Sequence, residues 1–282
     1  MSVNVYQIVT NKIIEQLEKG IVPWQKSWND ALEGSINYVT RKPYSLLNQI
    51  LLCDRVGEYL TFKQIQGLKG TIKKGAKSSV VVFYTQIPVK DKNTDEVLYT
   101  RPCLKYYNVF HIDDVCGIES KTNNNCVELN PIEEAETIIN DYLSREKSLK
   151  FINYILTDKA YYSPTNDLVQ VPMMKQYTNI NEYYSTTFHE FIHSTLTEKR
   201  CNRKQKDTIS KFGSEEYSKE ELTAEIGSAM LCNIIGIDTE KVFKNSVNYI
   251  GSWLKVLKND NLMIIRAAAQ AEKAVKYIRN KE

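Results

Sequence analysis

The stretch YYSTTFHEFIHSTLT, Tyr183–Thr197, decides how the rest of the chain is read. It carries His189, Glu190 and His193 in the order His-Glu-x-x-His. Residues four apart on a helix stand one turn above each other on one face, so both imidazoles can reach a single Zn²⁺, or another divalent metal such as Mn²⁺. Glu190 follows the first of them and is placed as general base toward a water on that ion. Asn179 and Glu182 have capping-box spacing, and no Gly or Pro interrupts Asn179–Phe212, so the pattern predicts a helix. The chain holds three histidines, and two of them fall in this motif.

Such a site needs a third protein ligand. One extended pattern puts a glycine three positions and a histidine six positions after the second histidine. Leu196 and Lys199 stand there, which excludes it. A glutamate from a later helix is the other common solution. The segment Ser218–Gly236, SKEELTAEIGSAMLCNIIG, reads as that helix. It opens with a Ser218-x-x-Glu221 capping box and carries Leu222, Ile226, Met230 and Leu231 as an apolar stripe. Glu221 and Glu225, four apart beside that stripe, are read as third ligand and as the carboxylate behind a ligand histidine. An ordinary acidic first turn, favoured by the helix dipole, accounts for Glu220 and stays open for Glu221.

At 282 residues and 42% hydrophobic, the chain is long enough for one large or two ordinary domains. A net charge of +3 selects no partner, but its distribution is uneven. Lys63, Lys69, Lys73, Lys74 and Lys77 fall between Thr61 and Ser78 with no acid among them. The six cysteines form no Cys-x-x-Cys pair and no dense framework, the usage of a reduced compartment. No stretch has the length of a signal-peptide core or a membrane span. The expectation is a cytoplasmic protein without membrane contact.

Val5, Ile8, Val9, Ile13, Ile14 and Leu17 recur at helical spacing up to Gly20. A short helix is expected over Ser45–Val56 and another before Gly70. Strands are expected at Val80–Ile87, Leu98–Thr100 and Leu104–His111, around a polar tip at Lys90–Glu96. The first part therefore reads as small and α+β. It combines aromatic and basic residues: Trp24, Trp28, Arg41, Tyr44, Lys63, Lys73, Lys74, Lys77, Tyr84 and Tyr107. Rings beside cations hold single strands without reading sequence. Strand aromatics are also common core, and lysine runs common solvated turns, so composition leaves nucleic-acid binding open.

GIESKTNNNCVELNP, Gly117–Pro131, lacks periodicity and reads as linker. The expected division is 1–120, a linker at 121–131, and a mostly helical second domain at 132–282. There a helix over Ile132–Leu143 precedes strands at Phe151–Leu156 and Leu168–Val171. The latter stands where zincin folds place the edge strand lining the cleft. Helices over Thr239–Lys258 and Asn261–Asn280 close the chain.

With these pieces assembled, the chain resembles the ArdC-type antirestriction proteins of plasmids and other mobile elements. The likeness rests on PW-x3-W (Pro23–Trp28), NYVTRKPYSLLNQILL (Asn37–Leu52), YLTFKQIQGLKGTIKKGAKS (Tyr59–Ser78) and YYNVFHIDD (Tyr106–Asp114). In the second part it rests on YYSPTNDLVQVP, YYSTTFHEFIH, YSKEELTAEIGSAML and the alanine-rich last helix. The resemblance implies a single-strand DNA-binding domain followed by a zincin-like metallopeptidase domain, an α+β protein overall. It implies single-stranded DNA as partner and, on the alternative reading, a host protein cleaved by an active zinc peptidase. Family members often carry Trp-Thr-Gly after the second histidine, where this chain has Ser194-Thr195-Leu196. With only His111 outside the motif, a tyrosine such as Tyr162 or Tyr217 is left to serve as transition-state electrophile.

Overall fold

The computed structural model describes residues 4–24, 34–90, 97–121, 131–177, 179–203, 215–237 and 247–281. Helix α1 (Val5–Glu18) begins at Asn4, whose side chain accepts from the backbone of Tyr6 and Gln7. Its buried stripe is Val9, Ile13 and Leu17. Next come β1 (Ile36–Asn37), α2 (Leu46–Leu51), β2 (Glu58–Thr61) and α3 (Phe62–Gly67). The short β3 (Thr71–Ile72) precedes a long antiparallel ribbon, β4 (Ser79–Lys90) and β5 (Val97–His111), and β6 (Val115–Cys116) pairs back on β3. The main sheet has the order β1-β2-β5-β4.

The expected strands at Leu98–Thr100 and Leu104–His111 are one strand, running through Pro102. At that height β5 pairs with β4 alone, and an unpaired edge tolerates a missing N–H. The helix expected to Val56 stops at Leu51, and β2 went unpredicted because Glu58–Thr61 is too short to show alternation.

The second half starts with α4 (Pro131–Arg145) and a three-stranded sheet of β7 (Lys150–Ile152), β8 (Tyr161–Ser163) and β9 (Leu168–Gln170). The sheet order is β7-β9-β8, so β9 is central. This corrects the expectation of an edge at Leu168–Val171: the edges are β7 and β8. The helices α5 (Ile180–Ser194), α6 (Glu215–Ile234), α7 (Val247–Asn259) and α8 (Met263–Ile278) follow. Helix α6 starts before Ser218, which therefore lies inside it and is no N-cap. The linker core and the start of the expected Thr239–Lys258 helix lie outside the described residues.

Leu222, Thr223, Ala224, Glu225, Ile226, Ser228, Ala229 and Leu231 are all buried, so α6 is enclosed on every side rather than amphipathic. One face packs on α5 and the other enters a core that reaches the first half of the chain. There Val9, Ile13, Leu17, Trp24, Leu46 and Ile50 meet Leu222, Ile226, Trp253, Leu257, Ile264 and Ala268. Trp24 and Trp253 meet edge-to-face with centroids 5.2 Å apart. Across the same seam Thr10 Oγ1 donates to the Asn261 carbonyl at 2.8 Å, and Glu272 accepts from the Leu46 backbone N–H at 3.1 Å. The α+β class holds, and the helices of the first part share one core with the last two helices.

Trp24→Ala leaves a cavity at the centre of this seam and is expected to destabilise the protein by about 3–5 kcal/mol. Urea unfolding followed by both far-ultraviolet circular dichroism and tryptophan fluorescence checks it. The two probes should move together to a lower midpoint, because the core belongs to both halves.

Candidate metal centre

The site is built where α5 and α6 run antiparallel, with Ser228 Oγ donating to the Ser185 carbonyl at 2.8 Å. A Cβ on Gly227 would stand 2.7 Å from Ile192 Cδ1, so glycine lets the two helices close together. Within that contact His189 Nε2 lies 3.1 Å from His193 Nε2. Glu221 Oε2 lies 3.6 Å from His189 Nε2, and Glu221 Oε1 lies 3.5 Å from His193 Nε2. Two donors about 2.05 Å from one tetrahedral ion stand about 3.3 Å apart, so these separations are those of a ligand set. Among the described residues this trio is the group of His, Cys, Asp and Glu that converges tightly enough for an ion. The three side chains keep 19%, 13% and 17% exposure, which leaves them reachable from solvent.

Burial opposes charge here, yet the pair is charged. Burial pushes the His189 imidazole down, but the Glu221 hydrogen bond and the charges of Glu190, Glu225 and Glu221 outweigh it and raise it to about 9. Burial likewise raises the Glu221 carboxyl, and His189, His193 and the Tyr217 hydroxyl hold it at about 2. Glu190 is buried immediately beside the trio in sequence, on the same helix.

Glu220, read from the sequence as an ordinary first-turn acid, touches His193. His193 Nδ1 donates to Glu220 Oε1 at 3.2 Å, which fixes the tautomer that leaves Nε2 free for an ion. Arg203 holds Glu220 from the other side at 2.6 Å and donates to the Ile192 carbonyl at 2.8 Å. Burial raises the Glu220 carboxyl, but His193 and Arg203 keep it below its usual range. Glu225, the expected orienting residue, is buried, its carboxyl raised by burial and by Glu221, and one of its oxygens has no hydrogen-bond partner. The role of Glu220 was hidden because a first-turn glutamate is common, and Arg203 belongs to no motif. Of the two tyrosines, Tyr162 donates to Asp167 at 3.0 Å, within the ion pair of Arg200 with Asp167, whereas Tyr217 hydrogen-bonds the metal-site carboxylate itself.

The residues expected to meet DNA separate into groups. Trp24 is fully buried, so no ring face is left for a base and the expectation is corrected. Trp28 lies outside the described residues. Arg41 forms a salt bridge with the buried Glu58, which ties it to the turn. Lys63, Lys73, Lys74 and Lys77 are exposed. Tyr44 is half-buried and, with Tyr84 and Tyr107, lines an open groove of about 610 Å³.

The model of the N-terminal domain of anti-restriction factor ArdC matches residues 3–110, and that of the zincin-like metallopeptidase matches residues 141–270. The chain shares the ArdC fold along its length. It is similar to the antirestriction ArdC protein of plasmid R388 over 99% of this chain and 100% of that one, at 28% identity and a TM-score of 0.75 in the metal-free crystal structure. The Mn(II)-bound structure of the same protein gives 27% identity and a TM-score of 0.78, over 99% and 98% of the two chains. Two Escherichia coli proteins named DNA primase TraC are 30% and 32% identical over 97% of this chain, which spans only 20% and 27% of their length. A Sinorhizobium fredii protein, y4eC, is 27% identical over 98% of this chain and 91% of its own.

Two measurements check the centre. His193→Ala and Glu221→Ala should each abolish stoichiometric metal, read by elemental analysis, while Glu220→Gln should weaken affinity roughly 10–100-fold. An ion must displace the His189 proton, held up to about pH 9. Metal affinity should therefore rise about tenfold per pH unit from neutral and flatten above that pH. A pH-independent affinity measured by competitive chelator titration contradicts the assignment.

Proposed function

We propose that this protein binds single-stranded DNA through its first half and protects a mobile genetic element from host restriction, as a cytoplasmic antirestriction protein. The observation that carries the reading is the likeness to R388 ArdC along the whole chain, together with the converging His189, His193 and Glu221. Lys73, Lys74 and Lys77, exposed in a segment without acid, supply phosphate contacts. Lys63 adds to the same field.

The donors fit a divalent ion, Zn²⁺ by the two imidazoles and one carboxylate, with Mn²⁺ the occupant in the R388 relative. A bound ion supplies Lewis acidity at its open position. The chain itself supplies Glu190, whose carboxylate accepts the proton of an attacking water and returns it to the leaving amine. Glu220 and Arg203 keep His193 in the ligand tautomer, and Glu225 stands as a further buried carboxylate behind the ligands. Tyr217, hydrogen-bonded to Glu221, is placed to stabilise a developing oxyanion. The position of Glu190 beside a complete ligand set favours a second reading, an active metallopeptidase that cleaves a host protein.

Transfer frequency into a restricting host separates the two. Glu190→Ala removes the base and should cost any hydrolytic step roughly 10²–10⁴-fold, yet leave DNA binding and protection intact. Exchanging Lys73, Lys74 and Lys77 for glutamate should weaken single-strand binding and lower its salt dependence. If Glu190→Ala binds DNA normally and loses protection, proteolysis is the mechanism.

A further inference from the structure

The burial of Trp24 removes one of the expected stacking rings, and the β4–β5 ribbon carries rings that are exposed. Phe83 and Tyr84 are each 57% exposed, Tyr107 is 46% and Tyr99 is 60%. The register puts Val81 opposite Tyr107, Phe83 opposite Lys105 and Val89 opposite Tyr99. Opposed residues share a face and alternate residues along a strand return to it, so Tyr107, Phe83, Lys105 and Tyr99 stand on one side of the ribbon. From Tyr107 to Tyr99 that side runs about 27 Å at 3.4 Å per residue. At its base lies the groove of about 610 Å³, whose lining includes Lys42, Tyr44, Phe83 and Tyr107.

Charge selects the occupant. Neither strand contains an Asp or Glu, and the whole run Tyr59–Lys90 holds six lysines and no acid. The strands' own charged residues are basic, and the acids Asp91, Asp95 and Glu96 fall in the connection between them, outside the described residues; an exposed apolar face on such strands suits a polyanion with flat apolar groups. The ribbon is also fixed at its root. Asn48, on α2, donates to the Val82 carbonyl and accepts from its N–H, both at 2.8 Å, which anchors the groove wall to the buried helix.

We propose that this ribbon face and its basal groove are the single-strand platform, with Phe83 and Tyr107 stacking on bases, Tyr44 closing the groove, and Lys42 and Lys105 on phosphates. The inference rests on the reading of the chain as a single-strand DNA binder. Stacking rings and phosphate-binding lysines have different signatures, because only ionic contacts release counterions.

Fluorescence anisotropy with a labelled oligothymidylate is measured across a salt series for the full chain. Phe83→Ala and Tyr107→Ala should each weaken binding roughly 5- to 100-fold with an unchanged salt slope, and Tyr107→Phe should keep it. Lys105→Ala should reduce the slope by about one. Thermal melts should match wild type, since these side chains are exposed. Crosslinking with iododeoxyuridine oligonucleotides and peptide mapping should mark Phe83, Tyr84 or Tyr107. Normal binding by both alanine variants, or crosslinks confined elsewhere, overturns the platform and leaves the DNA reading standing. No binding by wild type removes both. Alanine variants that bind DNA normally yet lose protection in the transfer assay assign the face to a protein partner instead and overturn the proposal.

Discussion

Helix α6 has to be buried on all sides and still carry three carboxylates within six residues, Glu220, Glu221 and Glu225. An uncompensated buried charge costs several kcal/mol, so each carboxylate needs an answering group or must give up its charge. The fold supplies both solutions. Glu221 faces two imidazoles, Glu220 faces His193 and Arg203, and Glu225 has its carboxyl raised by burial while the nearby histidines oppose the rise. The His189 and Glu221 shifts are opposite in sign for this reason, and the pair stands ready to exchange its proton for an ion.

That charge arrangement depends on helix spacing. Gly227 admits Ile192 to within contact of the α6 backbone, and Ser228 locks the far end of the contact onto the Ser185 carbonyl. A larger residue at 227 would push apart the two faces on which the ligands stand. The sequence feature that sets the spacing of His189, His193 and Glu221 is thus a glycine about one turn and a half beyond Glu221, with no chemistry of its own.

What was legible in the sequence follows the same physics. The His-Glu-x-x-His helix was visible because ligand chemistry requires a fixed spacing on one element, and Asn179 caps it as its position suggests. Glu221 came from a second helix and was readable because an acid beside an apolar stripe is unusual. Glu220 and Arg203 were not, since a contact between side chains 17 residues apart leaves no periodic trace. Trp24 was misread for a related reason. A tryptophan followed by Gln25, Lys26 and Ser27 looks like a surface ring until Trp253, from the far end of the chain, is seen to cover it. The β4–β5 hairpin was placed correctly, but its length was underestimated because Pro102 ordinarily ends a strand.

The seam that hides Trp24 also bears on how the two halves work. Two family models divide the chain, yet α1 and α2 bury their apolar faces against α7 and α8, and α6 contributes Leu222, Ile226 and Ala229 to that core while carrying Glu221. Glu272, on α8, accepts from the first N–H of α2, and the same α2 carries Asn48 into the groove wall. The groove wall and the His189, His193 and Glu221 cluster are therefore both tied to this packed core. Close-packed interiors have low compressibility and transmit strain, so a displacement at either place is felt in the shared core. A change at the groove wall and a change at the His189, His193 and Glu221 cluster therefore act on the same packed residues.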